Sequence, residues 1–350
     1  MHYIWLFLIT LREFSTPFGI PSIVLTVGIN AFIFLNLIIH LCIKGNFKIP
    51  KILLVILFYF VMMIYNYQLL GMINLLLCCY LLRDVRLERI VAFNATTLFF
   101  LIAVLLMGIQ FDYISMGTFD VSYKGGSEAL TFGFGNPNMP SGICFQLVIL
   151  LYYLSCRYKN LPLYLLCLTI TILAFNYTHG RTYFLSGMLL LVSGIFFYKY
   201  KFFQKIRPLF LFIPLLAAIY IFAIVSVKSG FIELIKLFSW GRYHYYNLYF
   251  SDFSMINVLI GKPIPQDIPL DNFYIALFAG GIINVIIFCF LYFNFVKNEI
   301  IKNGYIFAIV FSLLFSGFFE SRFLWLTPAA LPLFWLLFYK SAYSRNNALV

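Results

Sequence analysis

The sequence predicts an all-α, polytopic integral membrane protein with about eleven (10–12) membrane-spanning helices. Three observations carry that prediction. Of 350 residues, 63% are hydrophobic and only 10% are charged, whereas a soluble domain carries about 25% charged residues. The apolar residues form continuous runs near or above the ~18 residues that a membrane helix needs. The charges collect in short stretches between those runs. A β-barrel is excluded because its strands alternate apolar and polar residues.

The elements follow in order. The N-terminal MHYIWLFLITLREF has neither a basic n-region nor a small-residue cleavage site, so it reads as retained. Pro17 and Pro21 break the chain after it. The first 17 residues are therefore expected on the outer surface or as one further crossing. Spans are predicted at 20–43, 90–110, 137–156, 161–178, 182–198, 208–227, 271–296, 304–320 and 323–340. Residues 52–82 lie between two basic clusters, and Asn66-Tyr67-Gln68 divides them. Each half, about 14 residues, spans about 21 Å, short of a ~30 Å apolar core. A hairpin of two short helices, re-entrant in character, is expected there. Residues 1–350 read as a single membrane domain.

Charge orients the chain. Sixteen of the 24 basic residues fall in six clusters: Lys44/Lys48/Lys51, Arg83/Arg86/Arg89, Arg157/Lys159, Lys199/Lys201/Lys205/Arg207, Lys297/Lys302 and Lys340/Arg345. Placing all six in the cytoplasm satisfies the positive-inside rule. Arg12 and Glu13 fall outside this division. The net charge of +12 thus reads as topology and as contact with anionic lipid headgroups, not as nucleic-acid binding. Two long loops, 111–136 and 228–270, are left on the outer side. Loops beyond about 12–15 residues are usually functional or disordered, and the second is too aromatic for disorder. Its YHYYNLYF segment reads as an interfacial helix with tyrosines at headgroup depth. The seven cysteines include no C-x-x-C pair and the four histidines show no ligand spacing. Neither a His/Cys-held metal nor a cofactor is expected.

Candidate functional residues sit in the outer turns. In Asn-Tyr-Thr-His-Gly-Arg-Thr-Tyr-Phe (176–184), Gly180 permits a tight turn, and Arg181 stands at the membrane boundary. His179 reads either as a polar turn residue or as a functional one, and Arg181 either as a headgroup contact or as a ligand-binding cation. Arg242 and His244 lie in Trp240-Gly241-Arg242-Tyr243-His244, and Glu320 and Arg322 in Phe319-Glu320-Ser321-Arg322. Arg181, Arg242 and Arg322 thus come from three separate outer segments. Guanidinium groups grip phosphate oxygens in bidentate fashion, so their convergence would suit a diphosphate. Asn136 and Asn138 in GFGNPNMPSG can cap the helix they open, or meet an anion or sugar hydroxyls at its N-terminus. Asp271-Asn272-Phe273-Tyr274 opens another helix, and Asp271 is either its N-cap or a general base at the interface.

Four features in this order resemble the superfamily of O-antigen polymerases and O-antigen ligases. They are GFGNPNMPSG, THGRTYFLSGMLLL, the loop with SWGRYHYY and VLIGKP, and LDNFYIALFAGGIINVIIF. The resemblance covers about residues 50–340. It implies an inverting, metal-independent glycosyltransferase in the bacterial cytoplasmic membrane, with its active site facing outward. The Lys-, Ile-, Asn- and Phe-rich composition is also that of an AT-rich bacterial genome. The implied donor is a glycan on undecaprenyl diphosphate, passed to a lipid-linked repeat unit of a capsule, exopolysaccharide or O-antigen. Arg181, Arg242 and Arg322 would hold the diphosphate. Asp271, or failing it His244, would take the acceptor proton. Asn136, Asn138, His179, Asn272, Tyr274 and Glu320 would contact substrate. A chain-length regulator and a flippase are the implied partners besides the bilayer. Family ligases commonly carry histidine where this chain has Asp271, which favours the polymerase. Two alternatives stand beside it: a ligase-like transferase to another acceptor, and a flippase for the lipid-linked unit.

Overall fold

The computed structural model describes residues 2–44, 56–57, 60–66, 69–120, 128–199, 243–251, 253–265, 271–297, 303–320 and 324–343. In chain order the helices are α1 (His2–Glu13), α2 (Ser22–Lys44), α3 (Leu70–Leu82) and α4 (Leu87–Gln110). A small antiparallel hairpin, β1 (Thr118–Asp120) with β2 (Glu128–Leu130), pairs Phe119 with Ala129. Then come α5 (Asn138–Tyr158), α6 (Leu161–Thr178), α7 (Arg181–Lys199), α8 (Tyr243–Phe250), α9 (Met255–Ile260), α10 (Phe273–Ala279), α11 (Ile282–Phe295) and α12 (Gly304–Ser316). A π turn (Leu331–Trp335) leads into α13 (Leu336–Tyr343). The expected span at 208–227 lies outside the described residues.

The chain is mostly helical, and among the described residues four helices are long and apolar enough to cross a membrane: α2, α4, α5 and α6. Shorter apolar helices include α3, α7, α11 and α12; α3 packs on α2, α7 and α12 pack on α5, and α11 packs on α13. The central helix is α5, against which α4, α6, α7 and α12 lie. Its side chains from Phe145 to Ser155 are almost all buried. By contrast α2 and α6 turn Ile23, Val24, Val27, Leu161, Leu165 and Leu173 outward, an apolar surface of the kind lipid covers.

Several expectations change in the structure. The N-terminal stretch is α1, 12 residues and about 18 Å long, too short to cross a ~30 Å core alone. It buries Trp5, Leu6 and Ile9 against α2 and α4. Residues 52–55, 58–59 and 67–68 of the expected hairpin lie outside the described residues; a turn precedes Asn66, and α3 is buried on nearly every side from Met72 to Leu82. The predicted continuous span 271–296 is broken. Gly281 takes φ +85°, and α10 and α11 are separate helices. Ala279 O, freed by the break, accepts from Lys262 N (3.0 Å) and Asn66 Nδ2 (3.3 Å). There the chain around Gly261 (φ +83°) crosses against residues 279–281 so closely that a Cβ on either Gly261 or Gly281 would strike backbone. The predicted span 323–340 begins with irregular turns and the π turn at Pro332, which brings no N–H to the ladder. The YHYYNLYF segment is helical, with Tyr246, Tyr249 and Phe250 buried and Tyr245 exposed. The Tyr249 hydroxyl donates to Lys262 O, Phe250 and Phe253 pack on Phe278, and burial pushes the Tyr249 phenol above its ordinary range.

The two ends of the bundle differ in chemistry. At one end Arg157 pairs with Glu88 (3.0 Å), Lys340 donates to Val85 O (3.0 Å), and Arg83 reaches His40 (3.0 Å). Asn138, at the other end of α5, is nineteen residues from Arg157, or about 28 Å along the axis.

Candidate functional site: a polar cavity at the start of the central helix

A cavity of about 210 Å³ opens at the Asn138 end of α5. One stripe of that helix forms its wall. Asn138, Met139, Gly142, Ile143 and Gln146 are spaced three and four apart, so they share a face. From Asn138 to Gln146 the stripe descends two turns, about 12 Å. Asn136 Oδ1 accepts the Asn138 backbone N–H (2.8 Å) and sets the start of the helix. Gly142 leaves room for the Tyr183 ring, which faces the same cavity from α7.

The opposite wall holds Asp271 and Glu320. Of the two cap-competent residues before α10, Asn272 takes the cap. Its Oδ1 accepts from Tyr274 N (2.9 Å) and Ile275 N (3.1 Å), and its Nδ2 donates to Phe318 O (2.9 Å). Phe273 N donates to Gly317 O (2.7 Å). Asp271 is therefore released from capping and turned to the cavity, correcting its N-cap alternative. Asn272 and Tyr274 themselves are fully buried. The Tyr274 hydroxyl donates to Leu314 O (3.0 Å), so both residues serve the positioning of this segment.

Of the polar residues in the lining, Glu13, at the end of α1, and Gln146 are the most buried, 4% and 2% exposed. Gln146 Nε2 approaches Glu13 Oε2 at 3.4 Å, while Glu13 Oε1 and Gln146 Oε1 have no hydrogen-bond partner. An orphaned buried acceptor costs about 1–3 kcal/mol, and both of these atoms are enclosed by protein beside the cavity. Sequence reasoning missed both residues. The available signal was a lone carboxylate at the end of an apolar run, which inside a membrane protein is a functional candidate by default.

The remaining predicted residues lie elsewhere. Arg181 is exposed as the first residue of α7, two positions before Tyr183. His179 (φ 51°) is the left-handed residue that ends α6. Gly180 serves another purpose than the turn assigned to it: it clears space for the Ser141 side chain. His244 is exposed in the first turn of α8. Arg242 and Arg322, the other two arginines of the expected cluster, lie outside the described residues. The described lining holds three carboxylates and no basic residue. Among the described residues, no three His, Cys, Asp or Glu stand close enough together to hold a metal ion.

The fold and this cavity define an α-helical membrane protein with an acidic, carboxamide-rich pocket at one end of its bundle. No protein-family model, no curated protein and no solved structure matches the chain.

Proposed function

We propose that the chain is a repeat-unit polymerase for a bacterial surface polysaccharide, acting on undecaprenyl-diphosphate-linked oligosaccharides at the outer face of the cytoplasmic membrane. One observation supports this above the others. Three of the four motifs behind the resemblance line one cavity: the first through Asn136 and Asn138, the second through Tyr183, the fourth through Asp271. The third motif, through Gly261, packs against the glycines of the fourth. The cavity also lies at the end of α5 away from Arg157, Arg83 and Lys340; with those three cytoplasmic by the positive-inside rule, the cavity would face outward.

In this reading Asp271 accepts the proton of the acceptor hydroxyl as its oxygen attacks the anomeric carbon. The glycosyl–oxygen bond to the diphosphate breaks on the opposite face, inverting the centre, and undecaprenyl diphosphate leaves. Arg181, with Arg242 and Arg322, holds the departing charge, a contribution that grows in the transition state. His244 is the second choice for the base. The acidic lining suits the hydroxyl-bearing acceptor; the diphosphate belongs at the rim with the arginines. Cationic groups along a central path, which a flippase would need for its anionic cargo, are absent from the described lining. A ligase-like transfer to another acceptor remains the second reading.

The test is the lipid-linked oligosaccharide profile of cells carrying Asp271→Asn or Arg181→Ala. Loss of a general base lowers the rate about 10²–10⁴-fold, so single repeat units accumulate in place of polymer. Long lipid-linked chains in these cells would indicate the ligase. Near-normal polymer from both variants, correctly inserted, refutes the proposal.

A further inference from the structure

The stretch around VLIGKP has a local structure that the mechanism above does not use. It is tied to the start of α11: Gly261 meets Gly281 at backbone contact, and Lys262 N donates to Ala279 O (3.0 Å). The depth of that crossing follows from α11. Its 14 residues rise about 21 Å, against an apolar core of ~30 Å. It ends just before Lys297, which the positive-inside rule places in the cytoplasm. The other end of α11, and the crossing with it, therefore lies about 9 Å short of the outer edge of the core.

The segment suits that depth. Polar backbone groups inside a bilayer need partners. Ser254 Oγ accepts from Asn257 N (3.3 Å), Gly261 N donates to Asn257 O (2.9 Å), and the Tyr249 hydroxyl donates to Lys262 O. On the chain that leaves the crossing, Pro263 and Pro265 have no N–H to strand. Within α9 no residue is buried, and Met255 (83%), Ile256 (61%) and Leu259 (53%) are exposed. Spacings of three and four bring these three to one side of the helix. Beside them α11, on which α9 packs, exposes Ile282, Ile286, Phe290 and Phe293 at the same kind of spacing. The apolar face of α9 thus continues an exposed stripe that runs down a membrane-embedded helix.

We propose that residues 254–265 form a re-entrant segment dipped into the outer leaflet, with the Met255, Ile256 and Leu259 face of α9 covered by lipid acyl chains. The half-buried Lys262 sends its ammonium up to the phosphates on its four-carbon stem. This placement is independent of the reaction the cavity serves.

Trifluoromethylphenylalanine, introduced by amber suppression into the full-length chain, replaces Met255 or Leu259. The same label at Leu173, an exposed residue of α6, is the lipid-facing reference. Each protein is placed in phosphatidylcholine nanodiscs and read by fluorine NMR. Phosphatidylcholine spin-labelled near the head of its acyl chain broadens the signals at 255 and 259 as it does the one at 173, and a water-soluble gadolinium chelate leaves all three sharp. Loss of the 255 and 259 signals to gadolinium, with the spin-labelled lipid silent, puts the segment in water and overturns the proposal. Equal broadening by both agents places the face among headgroups and overturns the acyl-chain contact. Signals that neither agent reaches show a face covered by protein, another part of the chain or a second copy, and overturn it too. Each labelled protein is checked for monodispersity and thermal stability, and if one position rejects the label the other decides. Should both reject it, Ile256→Trp decides: quenching by brominated lipid supports the segment's depth, and quenching by iodide overturns it.

Discussion

The crossing of residues 259–261 against 279–281 gives the sharpest structural prediction. A Cβ on Gly281 would overlap Leu259 O and stand 2.6 Å from Gly261 N, both backbone atoms that no rotamer change can move. Overpacking of this kind costs about 1–3 kcal/mol. Gly281 also holds φ +85°, where an L-residue adds roughly 1–2 kcal/mol. Gly281→Ala is therefore destabilised by about 2–5 kcal/mol. Gly261→Ala falls in the same range, because its Cβ would overlap Ala279 O at φ +83°. The double variant costs less than the sum, since both substitutions wedge open one contact. The control is Gly71→Ala in α3, where nothing lies within 4 Å and alanine is the better helix former by about 1 kcal/mol at most. Equilibrium unfolding of the purified protein in mixed micelles reads all four. Tryptophan fluorescence reports on it, because Trp325 stacks on Trp335 beside Phe273 of α10. A Gly281→Ala protein within about 0.5 kcal/mol of the Gly71→Ala protein would refute the crossing.

Two further outcomes are expected. Asn272→Ala removes a cap worth about 0.5–2 kcal/mol together with the bond from its Nδ2 to Phe318 O; unfolding measures the loss, with Asn272→Asp intermediate because it keeps the acceptor and lacks the donor. Gly180→Ala sets a Cβ 2.6 Å from Ser141 Cβ and costs about 1–3 kcal/mol; Ser141→Gly restores most of it, and a double-mutant cycle that shows no coupling would contradict the packing.

The long helices were legible because membrane spans announce themselves by continuous apolarity. The predicted 90–110, 137–156 and 161–178 meet α4, α5 and α6 within a few residues. The break at Gly280-Gly281 was hidden inside such a run. Apolarity does not report that Ala279 O will find Asn66 and Lys262 instead of a donor in its own helix. The candidate site was legible in part. Asn136, Asn138, Asp271 and Glu320 were singled out as outer-turn residues and share one cavity, but nothing in the order of residues says which of Asp271 and Asn272 will cap. Glu13 was set aside as a leftover charge because its significance depends on Gln146, which only the folded chain brings beside it. Asn272 and Tyr274 looked like site residues because polar groups at a helix start serve ligands and backbone alike, and here backbone atoms claim them.

The double attachment of Asn272 and Phe273 to the 317–318 turn has a mechanical consequence. Glu320 follows that turn directly, its N–H held by Ser316 O at 2.9 Å. The two acidic groups of that wall therefore belong to one jaw, whose backbone is riveted on both sides. The facing jaw is the stripe of α5. The backbone segments that carry Asp271 and Glu320 are therefore coupled and shift together.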